Sequence, residues 1–130
     1  MAVIVDTTAV TGDGRVATST LRAYGARTER AAEVWLADLM SGAVVGDLTG
    51  IKAVAAGDLR VVEVIIPEDV PCESVASALW LLSTRGWDAT VLVPCHRLGE
   101  AHAVLRGTPC RLQSWWIEDG EVSFGGHETP

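Results

Sequence analysis

"RVVEVIIPEDVPCESVASALWLLSTRGWDATVLVP", residues 60–94, decides the fold of this chain. It opens on a β-branched run that Pro67 ends, the composition of a strand. "CESVASALWLLSTRG", residues 72–86, follows. Val75, Leu79 and Leu82 recur there at helical spacing on one face, and Gly86 stands where a helix stops. "DATVLVP", residues 88–94, is almost wholly apolar, the kind of strand buried on both faces in a parallel sheet. "LGEAHAVLRG", residues 98–107, then reads as a short helix ended by Gly107. Strand, helix, strand, helix in that order predicts a right-handed parallel crossover. The fold class expected is α/β: a single-domain mixed sheet with flanking helices, a parallel βαβ crossover in the second half and a C-terminal β-hairpin.

Towards the C-terminus, "RLQSWWIEDGEVSFG", residues 111–125, predicts that hairpin. Asp119-Gly120 suits a type I′ turn, whose two central residues need positive φ. That turn sets Ile117 opposite Val122 and Trp115 opposite Phe124, cross-strand pairs that stabilise by roughly 0.2–1 kcal/mol each. Trp115 and Trp116 then lie on opposite faces, so one of them is expected at the surface, as part of a binding or self-association surface or partly buried under the tail. Trp35, Trp80 and Trp87 fit core or helix packing. The domain is expected over residues 1–125, and the polar end "GGHETP", residues 125–130, supplies from 126 to 130 a tail that frays.

Towards the N-terminus, residues 3–10 read as a strand. Asp13-Gly14 marks a turn and 16–21 a returning strand. Thr28 suits an N-cap and "ERAAEVWLADLM" a helix over 28–40, with Ala31, Trp35 and Leu39 on one face and Glu29 in its first turn. Residues 41–58, rich in Gly, Ala and Val, fit either short strands or a helix around 51–56.

Composition narrows the function. The 130 residues are 48% hydrophobic and 21% charged, an ordinary globular balance. No apolar run approaches the ~20 residues that span a bilayer. No secretory leader is evident at the start, so the expectation is a cytoplasmic protein with no membrane contact. The net charge of −7 opposes a general affinity for nucleic-acid backbone. Arg22, Arg27 and Arg30 form either a local basic patch or a solvated face. Cys72, Cys95 and Cys110 are odd in number, hold no CxxC pair and each follow a proline, which argues for buried thiols rather than a disulfide framework.

Candidate chemistry starts at Asp6 in "VIVDTTAV", residues 3–10. A carboxylate among apolar strand residues costs several kcal/mol unless it is paired, hydrogen-bonded or metal-bound. The plainer reading is an outward-facing residue at a solvated edge. This stretch resembles the first strand of PIN-domain nucleases, where apolar residues lead to Asp, then Thr or Ser. The resemblance implies a metal-dependent ribonuclease hydrolysing RNA phosphodiesters, with Mg²⁺ or Mn²⁺ held by Asp6, by Glu33 or Asp38 from a middle helix, and by Glu100 from a later helix start. Asp6 and Glu100 are then its catalytic residues. Hard divalent cations take such oxygen ligands and activate water. Asp119 is a fourth acid by order, although a turn explains it as well. "LLSTRGWDATVLVP" is similar to part of the NYN-type nucleases, and a first-strand Asp with a returning strand also resembles the ribonuclease H-like fold, with Glu33 and then Glu68 or Asp69. The 13–14 turn departs from the PIN pattern, in which a helix follows the first strand.

Two further readings complete the set. Cys95, His96, Glu100 and His102 bring metal-binding residue types together, but with one Cys and two His they lack the usual zinc spacing. His96 and Glu100, i and i+4 on a helix, are expected to touch. The alternative function is non-catalytic: a protein-binding or assembly domain, whose partner is another protein or a second copy of the chain. It suits the acidic charge, the single lysine (Lys52) and an exposed Trp on the hairpin.

Overall fold

The structure, a computed structural model, describes residues 31–43 and 46–130. Among these described residues six strands form one sheet in sequence order: β1 (Ala31–Trp35), β2 (Lys52–Ala56), β3 (Val61–Ile65), β4 (Asp88–Pro94), β5 (Arg111–Glu118) and β6 (Glu121–Glu128). β3, β4 and β5 are parallel, and the other neighbours pair antiparallel. A short helix, α1 (Leu36–Leu39), follows β1. A 3₁₀ turn, Cys72–Val75, leads into α2 (Ala76–Thr84), which connects β3 to β4. A second 3₁₀ turn, Cys95–Arg97, leads into α3 (Leu98–Val104), which connects β4 to β5. The expected α/β class, mixed sheet, parallel crossover and C-terminal hairpin are all present.

Both connecting helices pack on the same face of the sheet. Val75, Ala78, Leu79 and Leu82, with Ala101 and Leu105, bury there against Val62, Val64, Val91, Val93 and Leu112. Each fully buried aliphatic side chain contributes roughly 1.5–3 kcal/mol. Gly86 (φ +81°) and Gly107 (φ +77°) stand just past the two helices in the left-handed conformation that ends them. The opposite face carries a smaller cluster, Val54, Ile65, Leu92 and Trp115, with Val122 and Phe124 against it. β4 is therefore buried on both faces, as its composition requires.

Three expectations are corrected. Residues 31–35 are a strand, not the middle of a 28–40 helix, and only Leu36–Leu39 is helical. Helix propensities differ by well under 1 kcal/mol per residue. They yield to a five-residue ladder with β2, from Ala31↔Ala56 to Trp35↔Lys52. That ladder also settles residues 52–56 as a strand. Residues 126–128 continue β6 instead of fraying, because Gln113↔His127 and Leu112↔Glu128 extend the hairpin. Trp35 (47% exposed) and Trp80 (55%) lie at the surface rather than in the core. Trp87 is half-buried, with the Arg60 guanidinium 5.6 Å over its ring.

Candidate functional site

Asp6 lies outside the described residues, as do the 3–10 strand, the 13–14 turn, the 16–21 strand, the Thr28 cap and the Arg22, Arg27 and Arg30 patch. The other three predicted acids are not brought together. Glu33 sits on β1 and Asp38 on the adjoining α1. Glu100 sits on α3, which packs between β4 and β5. Sheet order puts β1 three strands from β4, about 14 Å at ordinary strand spacing. Among the described residues, no three His, Cys, Asp or Glu side chains are placed to hold a metal ion.

Glu100 is committed elsewhere. Its Oε2 accepts hydrogen bonds from Arg97 Nε (3.0 Å) and Nη2 (2.8 Å) and from Cys72 Sγ (3.1 Å). The Cys72 thiol and then the Arg97 guanidinium hold its carboxyl below the usual carboxylate value. Burial, reinforced by Glu100, pushes the Cys72 thiol up to about 12. A thiol so protonated is a poor nucleophile, and a carboxylate with three donors is a poor base. Arg97 also donates to the carbonyls of Pro67 (2.8 Å) and Val70 (2.6 Å). It therefore clamps the segment after β3 to the start of α3. Residue spacing predicts the Arg97–Glu100 contact, three apart across the start of α3, but nothing local reveals the two carbonyls.

The Cys95, His96, Glu100 and His102 group disperses. His96 faces Glu68 at 3.2 Å, not Glu100. His102 meets Glu128 at 2.9 Å, joining α3 to the end of β6. Cys95 is exposed, Cys72 buried and Cys110 half-buried, all three as free thiols. The expectation of buried thiols therefore fails at Cys95.

Besides the exposed Leu59, Trp80 and Val104, two surfaces of the described residues present apolar side chains to solvent. At the β1 end, Glu33, Val34, Trp35 and Lys52 line a shallow groove of about 160 Å³. Lys52 Nζ lies 5.5 Å from the Trp35 ring centroid and 4.0 Å from Glu33. At the other end is the β5–β6 hairpin, with Asp119 at φ +51° and Gly120 at φ +78° in its turn. The register is the predicted one, Ile117↔Val122 and Trp115↔Phe124. Trp115 is buried and Trp116 half-exposed, as alternation requires. The ladder to β4 stops at Pro94↔Trp115. The ladder within the hairpin runs on through Trp116↔Ser123, Ile117↔Val122 and Glu118↔Glu121. The tip therefore extends about 10 Å past the β4 ladder. It carries Trp116 (36% exposed) and Ile117 (40%) beyond that support.

No described helix is long and apolar enough to cross a membrane. Compared with protein-family models, with curated proteins and with solved structures, the chain matches none.

Proposed function

We propose that this chain is a protein-binding domain of α/β architecture, and that the extended β5–β6 hairpin is its docking element. The observation that carries this reading is the run of hairpin pairs past the β4 ladder with Trp116 and Ile117 exposed on them. Aromatic side chains held on a rigid ribbon suit the anchors of protein interfaces, where Trp is enriched. Neither residue is needed for the core on the helix-covered face.

The rival reading, a PIN-like ribonuclease using Mg²⁺ or Mn²⁺ on Asp6, Glu100 and one of Glu33 or Asp38, asks Glu100 to leave Arg97 and Cys72 for a metal. One pair of measurements separates the two. The first is thermal unfolding with and without millimolar Mn²⁺, for the wild type and for Asp6→Asn, together with RNA cleavage. The second is recovery of a partner by the wild type and by the double variant Trp116→Ser, Ile117→Thr, followed by titration with the purified partner. The docking reading expects unchanged melting with Mn²⁺, no cleavage, and lost partner binding at unchanged melting temperature. A metal-dependent rise of several degrees that Asp6→Asn abolishes, with RNA cleavage, favours the nuclease.

A further inference from the structure

The register of the hairpin gives its two faces different chemistry. Trp116, Ser123, Glu118 and Glu121 share one face; Ile117 and Val122 share the other. On the first, Glu118 and Glu121 stand directly opposite each other next to the turn, and like charges in that relation destabilise a hairpin. Trp116 Nε1 donates to Glu118 Oε2 at 3.3 Å, which fixes the indole beside the carboxylates. Residues 116–123 hold three acids and no base. An unfavourable charge pair kept beside an exposed aromatic is the kind of local conflict that function explains.

We infer that this face of the hairpin, Trp116 with Glu118 and Glu121, docks a cationic side chain, Arg or Lys, from a basic segment of a protein partner. A guanidinium or ammonium between the two carboxylates relieves their repulsion and lies against the indole, whose ring face attracts cations. Arg suits the site better than Lys, because its planar fork meets carboxylates and stacks on the ring at once. The inference rests on the docking reading above and adds the chemistry of the partner.

The test uses the full chain with hexa-arginine, hexa-lysine and hexa-glutamate peptides at low salt. The readout is the Trp116 indole N–H resonance, assigned with Trp116→Phe. Hexa-arginine should shift it saturably, hexa-lysine more weakly and hexa-glutamate not at all. Glu118→Gln with Glu121→Gln should weaken hexa-arginine by about tenfold or more, equivalent to 1.4 kcal/mol. The same double variant should melt no lower than the wild type. Asp69→Asn with Glu73→Gln, which removes equal charge from exposed positions elsewhere, should leave the affinity within about twofold. An unmoved Trp116 resonance overturns the assignment. Equal weakening by the two double variants also overturns it, since the attraction is then only that of an acidic chain for a polycation. Should the Trp116, Ile117 variant lose a purified partner while the Glu118, Glu121 variant keeps it, the cationic assignment falls and the docking reading stands.

Discussion

Strands β4 and β6 lie two places apart in one sheet and are built to opposite rules. Every residue of β4 after Asp88 is buried, and the strand has parallel neighbours on both sides. No residue of β6 is fully buried, and it contains two glycines, a histidine and two glutamates. The difference shows how much freedom position grants. A strand covered on both faces accepts little beyond Val, Leu, Ala and Thr, because any uncompensated polar group there costs kilocalories. A strand at the end of a sheet order can carry charge, tight backbone contacts and exposed aromatics. The groups available for recognition collect on the hairpin it forms, where β5 runs past β4.

The largest break in this comparison should come from the covered region. Leu79→Ala removes a fully buried side chain from the helix-side core and should cost about 2–5 kcal/mol in chemical denaturation. Ile117→Ala at the tip should cost well under that.

Arg97→Ala should follow, at about 2–4 kcal/mol. It takes the Arg97 donor from the Val70 and Pro67 carbonyls and leaves the Glu100 carboxylate with only the Cys72 thiol. Arg97→Lys should recover only part, since one ammonium cannot replace the fork. The same cluster predicts a pH response. The folded-state pKa of Glu100 lies below its ordinary 4.5. Its contribution is therefore present above about pH 4.5 and fades as pH falls through the lower folded value. Stability curves of wild type and Glu100→Gln should converge in acid, and parallel curves would refute the coupling.

The hairpin should respond through backbone fit rather than burial. A Cβ on Gly125 would lie 2.5 Å from Ser114 Oγ, beside a register shift in β5. Gly125→Ala should cost about 1–3 kcal/mol. Ser114→Gly in the same chain should return most of it, a coupling that a double-mutant cycle reads directly. The smallest effect has the opposite sign. Glu121→Lys replaces a like-charge pair with an opposite one and should stabilise by about 0.2–1 kcal/mol. If it destabilises, the repulsion inferred across the hairpin is absent.

Much of the fold was legible because its signals are local. Val75, Leu79 and Leu82 mark one face of a helix whatever surrounds it. Asp119-Gly120 admits few turns, so the pairing from Glu118↔Glu121 to Trp115↔Phe124 follows from counting. Ala31 to Trp35 was illegible for the opposite reason. Its residues tolerate a helix, and only a distant partner strand, as in Glu33↔Val54, Val34↔Ala53 and Trp35↔Lys52, makes it a strand. The candidate site divides in the same way. The acidic residues could be chosen from sequence as types, but their company could not. Glu100 is held by Arg97 from the turn just before its helix and by Cys72 from 28 residues away.

The sequence by itself determined the α/β class, the parallel crossover, the helix ends and the register of the final hairpin, since these rest on periodicity, proline, glycine and turn geometry within a few residues. Tertiary structure alone decided that residues 31–35 join the sheet, that Trp35 and Trp80 face solvent, and that Glu100 belongs to a clamp. These outcomes depend on which distant surfaces meet, and local residue preferences of a few tenths of a kilocalorie are smaller than the burial and hydrogen bonding those meetings supply.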